Sequence, residues 1–213
     1  MKILNLYAGI GGNRKLWGDE HEVTAVEYDE ATAETYKKFF PGDKVFITDA
    51  HQFLMDNFRE FDFIWSSPPC PTHSRINHAK TRRPDYADMR LYQEIIFLNH
   101  WFNGKYVVEN VIPYYEPLIQ AKKVDRHLWW SNFNITDFTP SKKPNHETAK
   151  IKDLEQFFDI NLSEYKPKGK NSKLKMLRNM VHPETGLHIL NCALNTVPKK
   201  AIHSLFDDSL IYL

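Results

Sequence analysis

The chain reads as an α/β protein built on a mostly parallel sheet, and three observations carry that reading. Short β-type runs alternate with helix-like stretches through the first 110 residues. A glycine-rich turn closes the first run, at Ala8–Gly12. Acids close the next two, at Glu27 and at Asp49. Strands separated by helical segments pair in parallel, since each crossover returns the chain to the edge where the previous strand began.

The strands are expected at Ile3–Tyr7, Val23–Glu27, Val45–Ile47, Phe61–Trp65 and Tyr106–Glu109. Between them the apolar spacing predicts helices over Ala31–Phe40, stopped by Pro41 and Gly42, then His51–Phe58, then Met89–Phe102. A further strand is expected near Leu128–Phe133. Residues 138–175 turn polar and rich in Pro and Lys, with one amphipathic patch at Ile151–Phe158, and read as an inserted lobe. A last helix, Glu184–Leu194, follows His182 and Pro183 and returns to the sheet. The expected division is therefore a main domain of residues 1–137 and 176–213 with a short insertion at 138–175.

Composition bounds the function without choosing it. At 213 residues, with 42% apolar and 26% charged residues, the chain can bury one sizeable core. No run approaches the ~18 apolar residues of a membrane span. The opening MKILNLYAG meets Gly9, Gly11 and Gly12 before any signal-peptide core is complete. Two cysteines cannot make a disulfide framework, so a reducing, cytoplasmic setting is expected. Net charge is only +1, yet residues 75–83 and 166–178 carry Lys and Arg without an acid. Such runs are ordinarily solvated loops; two of them beside a site raise the case for phosphate contact.

In an open parallel sheet, ligands bind beyond the carboxyl ends of the strands. That rule gathers Tyr7–Gly12, Glu27–Asp29, Asp49, Ser66–Cys70 and Glu109–Val111 in space. The glycine turn lets backbone amides approach a ligand. A carboxylate at Glu27 can accept from both hydroxyls of a ribose, and Asp49 can accept from an adenine amino group. Together they indicate a nucleoside-bearing cofactor. Cys70 follows Pro68 and Pro69 and is expected on a stiff loop, with a long polar segment behind it. Cys192 lies in an apolar helix pattern and reads as a small core residue. Glu109 ends a strand one element beyond Cys70, where it either caps the next turn or faces a substrate.

These segments together resemble the DNA cytosine-C5 methyltransferase family. Its ordered signatures match Ala8–Gly12, Glu27, Asp49, Pro68–Cys70, Glu109–Val111, Arg126–Phe133 and Asn179–Val181, with Asp88, Arg90 and Leu91 resembling the helix between two of them. Pro-Pro-Cys followed about forty residues later by Glu-Asn-Val is the most specific part. The resemblance covers nearly the whole chain outside 138–175. It implies a Rossmann-like S-adenosylmethionine-dependent methyltransferase fold with a small inserted lobe. It implies S-adenosyl-L-methionine as cofactor and S-adenosyl-L-homocysteine as product. The implied cofactor residues are Tyr7, Ala8, Gly9, Gly11, Gly12, Glu27, Tyr28, Asp49, Ala50, Pro69, Asn179 and Val181.

The implied reaction explains the remaining parts. Cytosine C5 is a poor nucleophile until a thiolate adds at C6 and turns the ring into an enamine. Cys70 is the implied nucleophile. Glu109 would hydrogen-bond N3 and the exocyclic amine, and Arg126 would steady the base carbonyl or the nearby phosphate. The base must leave the duplex stack to be reached. Ser74, Arg75, Lys80, Arg82, Arg83, Lys168, Lys170 and Lys173 are the implied DNA contacts. The expected partner is double-stranded DNA, bound by a monomer without a metal, and the short insertion implies a small solitary or virus-type member reading a short site.

Three positions depart from the pattern. Pro71 stands where many members have Gln, and Arg178 where a glycine precedes Asn179. The Arg-x-Arg strand motif is reduced to Asp125-Arg126-His127, so either Arg126 or His127 fills its role. The same machinery acting on RNA, or a binding module that keeps the fold without turnover, are the competing readings. A nicotinamide-dependent dehydrogenase accounts for the glycine turn but leaves Pro-Pro-Cys without a task.

Overall fold

The computed structural model describes residues 1–75, 85–124, 126–145, 148–166 and 172–197. The expected contacts Lys80, Arg82, Arg83, Lys168 and Lys170 lie outside these residues, as does Asp125. The strands are β1 (Lys2–Leu6), β2 (Glu22–Glu27), β3 (Lys44–Ile47), β4 (Phe63–Ser66), β5 (Lys105–Val111), β6 (Lys122–Val124) and β7 (His127–Ser131). The helices are α1 (Glu30–Phe39), α2 (Ala50–Asn57), α3 (Arg90–Trp101), α4 (Ile151–Phe158), α5 (Lys173–Asn179) and α6 (Pro183–Leu194).

The strands form one seven-stranded sheet in the order β3-β2-β1-β4-β5-β7-β6. The first five run parallel, while β7 is antiparallel to both β5 and β6. This is the expected α/β architecture. In β1 every residue after Lys2 is buried, because helices cover both faces. Leu4 and Leu6 pack with Leu54, Ile64, Leu98 and Val108 on one face. On the other, Ile3 joins Trp17, Phe63, Trp65, Trp129 and Ile189. Trp65 stands between two indoles there, with ring centroids 5.8 Å from Trp17 and 5.5 Å from Trp129.

Helix starts follow their caps. Asp29 accepts the Thr32 amide at 2.9 Å and opens α1; Asp49 accepts the Gln52 amide at 2.9 Å and opens α2. Both caps sit at the sheet's carboxyl edge: Asp49, just past β3, starts α2, and Asp29, two residues past Glu27 at the end of β2, starts α1. Two elements were not anticipated. The first, β6, is a three-residue edge strand with two exposed lysines, too short and too polar to show a period. The second, α5, lies in the basic run, where Ser172 accepts the Lys175 amide at 3.1 Å and Leu177 is buried. Its lysines mask an ordinary i, i+3 apolar pair at Leu174 and Leu177.

The inserted segment builds a third core of Ala149, Leu154, Phe158, Leu162 and Tyr165, joined by Leu177, Met180 and Ile10 of the glycine turn. The Lys15 ammonium donates to the carbonyls of Phe158 and Asp159 at the end of α4. Among the described residues no helix is long and apolar enough to cross a membrane, and no three His, Cys, Asp or Glu groups gather as a metal site.

A buried ion pair fixes the segment behind the glycine turn. The Arg14 guanidinium donates to both carboxylate oxygens of Asp43, at 2.9 and 3.0 Å, and to the Gly18 carbonyl at 2.8 Å. Tyr36 donates to Asp43 at 2.7 Å. Both charged side chains are almost wholly buried, 5% and 4% exposed. Replacing one partner strands the other charge in the interior, so Asp43→Asn is expected to lower unfolding free energy by about 3–5 kcal/mol, read from urea denaturation.

Candidate active site

The chain leaves β1 through Tyr7, whose φ of 55° already lies in the left-handed region, and passes Gly9 and Gly11 with φ of 56° and 82°. A side chain at Gly11 would strike the Phe40 and Tyr36 rings, and one at Gly12 would strike the Val181 carbonyl. Gly12 therefore lets residues 180 and 181 close against the turn, which is where the structure places the expected Val181. Asn179 is exposed at the end of α5 and sits apart from that contact. Buried Asn5 and Asn13 exchange side-chain hydrogen bonds at 2.8 and 3.3 Å across the base of the turn.

Glu27 braces the turn from β2. Its carboxylate accepts the Gly9 amide on one oxygen and the Asp29 amide on the other, each at 3.0 Å. Burial pushes the carboxyl pKa up, and these two amides pull it back. A cavity of about 340 Å³ opens beside it, lined by Tyr7, Glu27, Tyr28, Asp49, Ala50, Pro68, Pro69, His73, Asp88, Arg90 and Leu91. Six residues expected from the sequence to bind cofactor (Tyr7, Glu27, Tyr28, Asp49, Ala50 and Pro69) thus share one wall. Two carboxylates at adjacent strand tips beside the exposed Tyr28 ring suit a nucleoside carrying hydroxyl and amino donors, so these residues fit S-adenosylmethionine.

The Pro-Pro-Cys segment follows β4 directly. Asn110 donates to the Pro68 carbonyl at 2.9 Å and so ties the loop to the end of β5. The Cys70 carbonyl accepts the amides of His73 and Ser74, both at 3.0 Å, which folds a tight turn behind the sulfur. Cys70 is half-buried; burial and then the Glu109 charge push its thiol pKa up, while Lys175 pulls it down. Glu109 is buried at the tip of β5. It lines a second, larger cavity of about 840 Å³ with Arg126, His127, Trp129, residues 138–145, Val181, His182 and Thr185.

Of the two residues left open for the family arginine, His127 approaches Glu109, with Nε2 4.0 Å from the carboxylate. Arg126 is exposed on the turn before β7 and lines the same cavity. Ser74 is half-buried and paired with Pro113, and Arg75 is exposed. Lys173 turns back to donate to the Ser163 carbonyl at 3.3 Å. Lys175, expected from the sequence only as part of the phosphate-contacting run, carries a charge that reaches Cys70. His73, His51 and Glu94 were missed. Glu94 carried a signal, since it is an acid on the apolar face made by Leu91, Tyr92, Ile95 and Leu98.

The thiol's surroundings set its pH response. A raised pKa keeps the sulfur protonated at neutral pH and leaves thiolate to form as pH rises. Iodoacetamide labelling of Cys70, corrected with a Cys70→Ala blank for the buried Cys192, should reach half its limiting rate above the ordinary cysteine range. Lys175→Ala is expected to move that midpoint up and Glu109→Gln to move it down. A wild-type midpoint at or below pH 7 contradicts this geometry.

The family profile described as C-5 cytosine-specific DNA methylase matches residues 1–112, just over half of the chain and all of β1 to β5. No curated protein matches the chain in sequence. Among solved structures, the Entamoeba histolytica methyltransferase EhMeth is similar over 93% of this chain and 99% of its own, with a TM-score of 0.58 at 10% identity, which shows a shared fold. The Spodoptera frugiperda DNMT2 structure aligns at 29% identity over 52% of this chain and 35% of its own, with a TM-score of 0.37. With a methyltransferase fold and a match that runs from the glycine turn through Pro-Pro-Cys to Glu-Asn-Val, the chain belongs to the C-5 cytosine-specific DNA methylase family.

Proposed function

We propose that the chain methylates C5 of cytosine in double-stranded DNA, using Cys70 as a covalent nucleophile. The observation that carries this reading is that half-buried Cys70 follows directly on Pro68 and Pro69, which share a cavity wall with Glu27 and Asp49, while Asn110, the neighbour of buried Glu109, ties that loop to β5 through the Pro68 carbonyl. When bound, S-adenosylmethionine supplies the methyl group as a sulfonium electrophile and leaves as S-adenosylhomocysteine.

The chain's own residues supply the rest. The Cys70 thiol gives its proton to solvent and the sulfur forms a bond to C6 of an extruded cytosine, the C5–C6 π pair moving to C5. Glu109, carrying a proton, donates to N3 and accepts from the exocyclic amine, and so stabilises charge as the sulfur adds. After methylation, the proton on C5 departs, the C6–S bond breaks, and thiolate returns to Cys70. Arg126 or His127, both on the wall of the larger cavity, steadies the base carbonyl or its phosphate. Glu27 holds the ribose hydroxyls and Asp49 the adenine amine. Ser74, Arg75 and the lysines of 166–175 meet the backbone, and residues 138–175 act as a minimal target-recognition insertion reading a short site.

Incubation with a 5-fluorocytosine duplex and cofactor tests the reaction, because fluorine at C5 cannot leave as a proton does and the adduct persists. Wild type is expected to give a denaturation-resistant complex, and Cys70→Ala to give none. Glu109→Gln should lower the methylation rate on the order of a hundredfold. Bisulfite sequencing of treated plasmid is expected to show methylation at a site of two or three bases. Equal labelling of RNA, or no adduct on any substrate, would refute the DNA reading.

A further inference from the structure

Glu94 is the most thoroughly enclosed acid of the described chain's catalytic edge, with no exposed surface at all. It projects from α3 among Leu91, Tyr92, Ile95 and Leu98. A carboxylate in such surroundings costs several kcal/mol in lost hydration unless its oxygens are fully supplied with donors. Here three donors meet it. Tyr7 donates its hydroxyl to Oε1 at 2.6 Å, His51 brings Nδ1 to the same oxygen at 3.0 Å, and Ser66 donates its hydroxyl to Oε2 at 2.6 Å.

The positions of those donors are informative. Tyr7 is the first residue beyond β1, held with positive φ, and it lines the smaller cavity. Ser66 is the last residue of β4, four before Cys70. His51 lies in the first turn of α2, next to the cavity residues Asp49 and Ala50. One turn earlier on α3, Arg90 reaches Asp49 at 3.5 Å and lines the cavity as well. A single helix therefore grips three separate tips of the cavity wall, and Glu94 is the point where they converge.

We infer that Glu94 is a positioning residue for the cofactor: through Tyr7, Ser66 and His51 it holds three strand and helix ends at the separation a nucleoside cofactor requires. The inference rests on the reading of the smaller cavity as the S-adenosylmethionine site. Glu94 touches no cavity surface, so it acts by preorganisation, which sets cofactor affinity and leaves the chemical step to others. The charge state of His51 reports the contact. Its pKa is raised, first by the hydrogen bond to Glu94 and against its own desolvation, with Asp49 raising it and Arg90 lowering it.

The test measures S-adenosylmethionine binding by calorimetry on the full chain, with the His51 ring titration followed by NMR. Glu94→Gln keeps the volume but turns one acceptor into a donor. It is expected to raise the S-adenosylmethionine Kd about tenfold, the scale of a hydrogen bond to a charged group. The rate at saturating cofactor should stay within about twofold of wild type, a split that general destabilisation does not produce. The His51 midpoint should fall. Ser66→Ala, which deletes one buried donor and leaves Glu94 in place, is expected to weaken binding about threefold and decides the matter if Glu94→Gln does not fold. Wild-type-like affinity in both variants, with the His51 midpoint lowered in Glu94→Gln, overturns this inference and leaves the cofactor reading standing. No binding by the wild-type chain overturns both.

Discussion

Five parallel strands bring their carboxyl ends to one edge of the sheet, and burying polar groups at that edge is the constraint the rest of the molecule answers. Strand ends leave amides and carbonyls without ladder partners, and the ligand chemistry adds acids to the same places. Each acid here is held by a different means. Glu27 takes two backbone amides, Glu94 takes three side-chain donors, and Asp49 caps a helix. Glu109 is buried near the end of β5, with His127 Nε2 at 4.0 Å from its carboxylate.

The raised pKa of Cys70 fits that arrangement. Burial and the Glu109 charge both favour the neutral thiol. On the proposed mechanism Glu109 carries a proton when it donates to N3 of the base, and its unfavourable charge beside the sulfur is then neutralised. Lys175 acts in the opposite sense and belongs to α5, the helix that closes the inserted core. The protonation of the Cys70 thiol is thus influenced by two elements that lie far apart in sequence, β5 and α5.

Much of this edge was legible in the residues. Alternating β runs and helical segments gave the parallel sheet, because period and punctuation are local properties. Acids at strand ends were readable for the same reason, and six of the expected cofactor residues meet on one cavity wall. What could not be read was long-range. His127 faces Glu109 because β7 pairs antiparallel with β5, opposing His127 to Val111, and no local pattern fixes that register. The α5 helix was hidden by its lysines, and the grip of Glu94 on Tyr7 joins residues 87 apart. Asn179, expected near the glycine turn, is exposed at the end of α5, while its neighbours Met180 and Val181 make the contact with Gly12.

The inserted segment shows why the division of the chain is not one of independent parts. Its helix α4 has 8 residues, and α5, which begins at its end, has 7, both well below the length at which a helix holds itself in water. A core of so few side chains needs a wall from elsewhere, and Ile10 of the glycine turn supplies it. Lys15 then closes the carbonyl end of α4, and Gly12 admits the backbone of Val181. The turn expected to hold the cofactor is therefore also the seat of the lobe expected to meet DNA. The glycine turn and the inserted segment are thus joined by direct packing of Ile10, Lys15 and Gly12 against the segment and the residues that follow it.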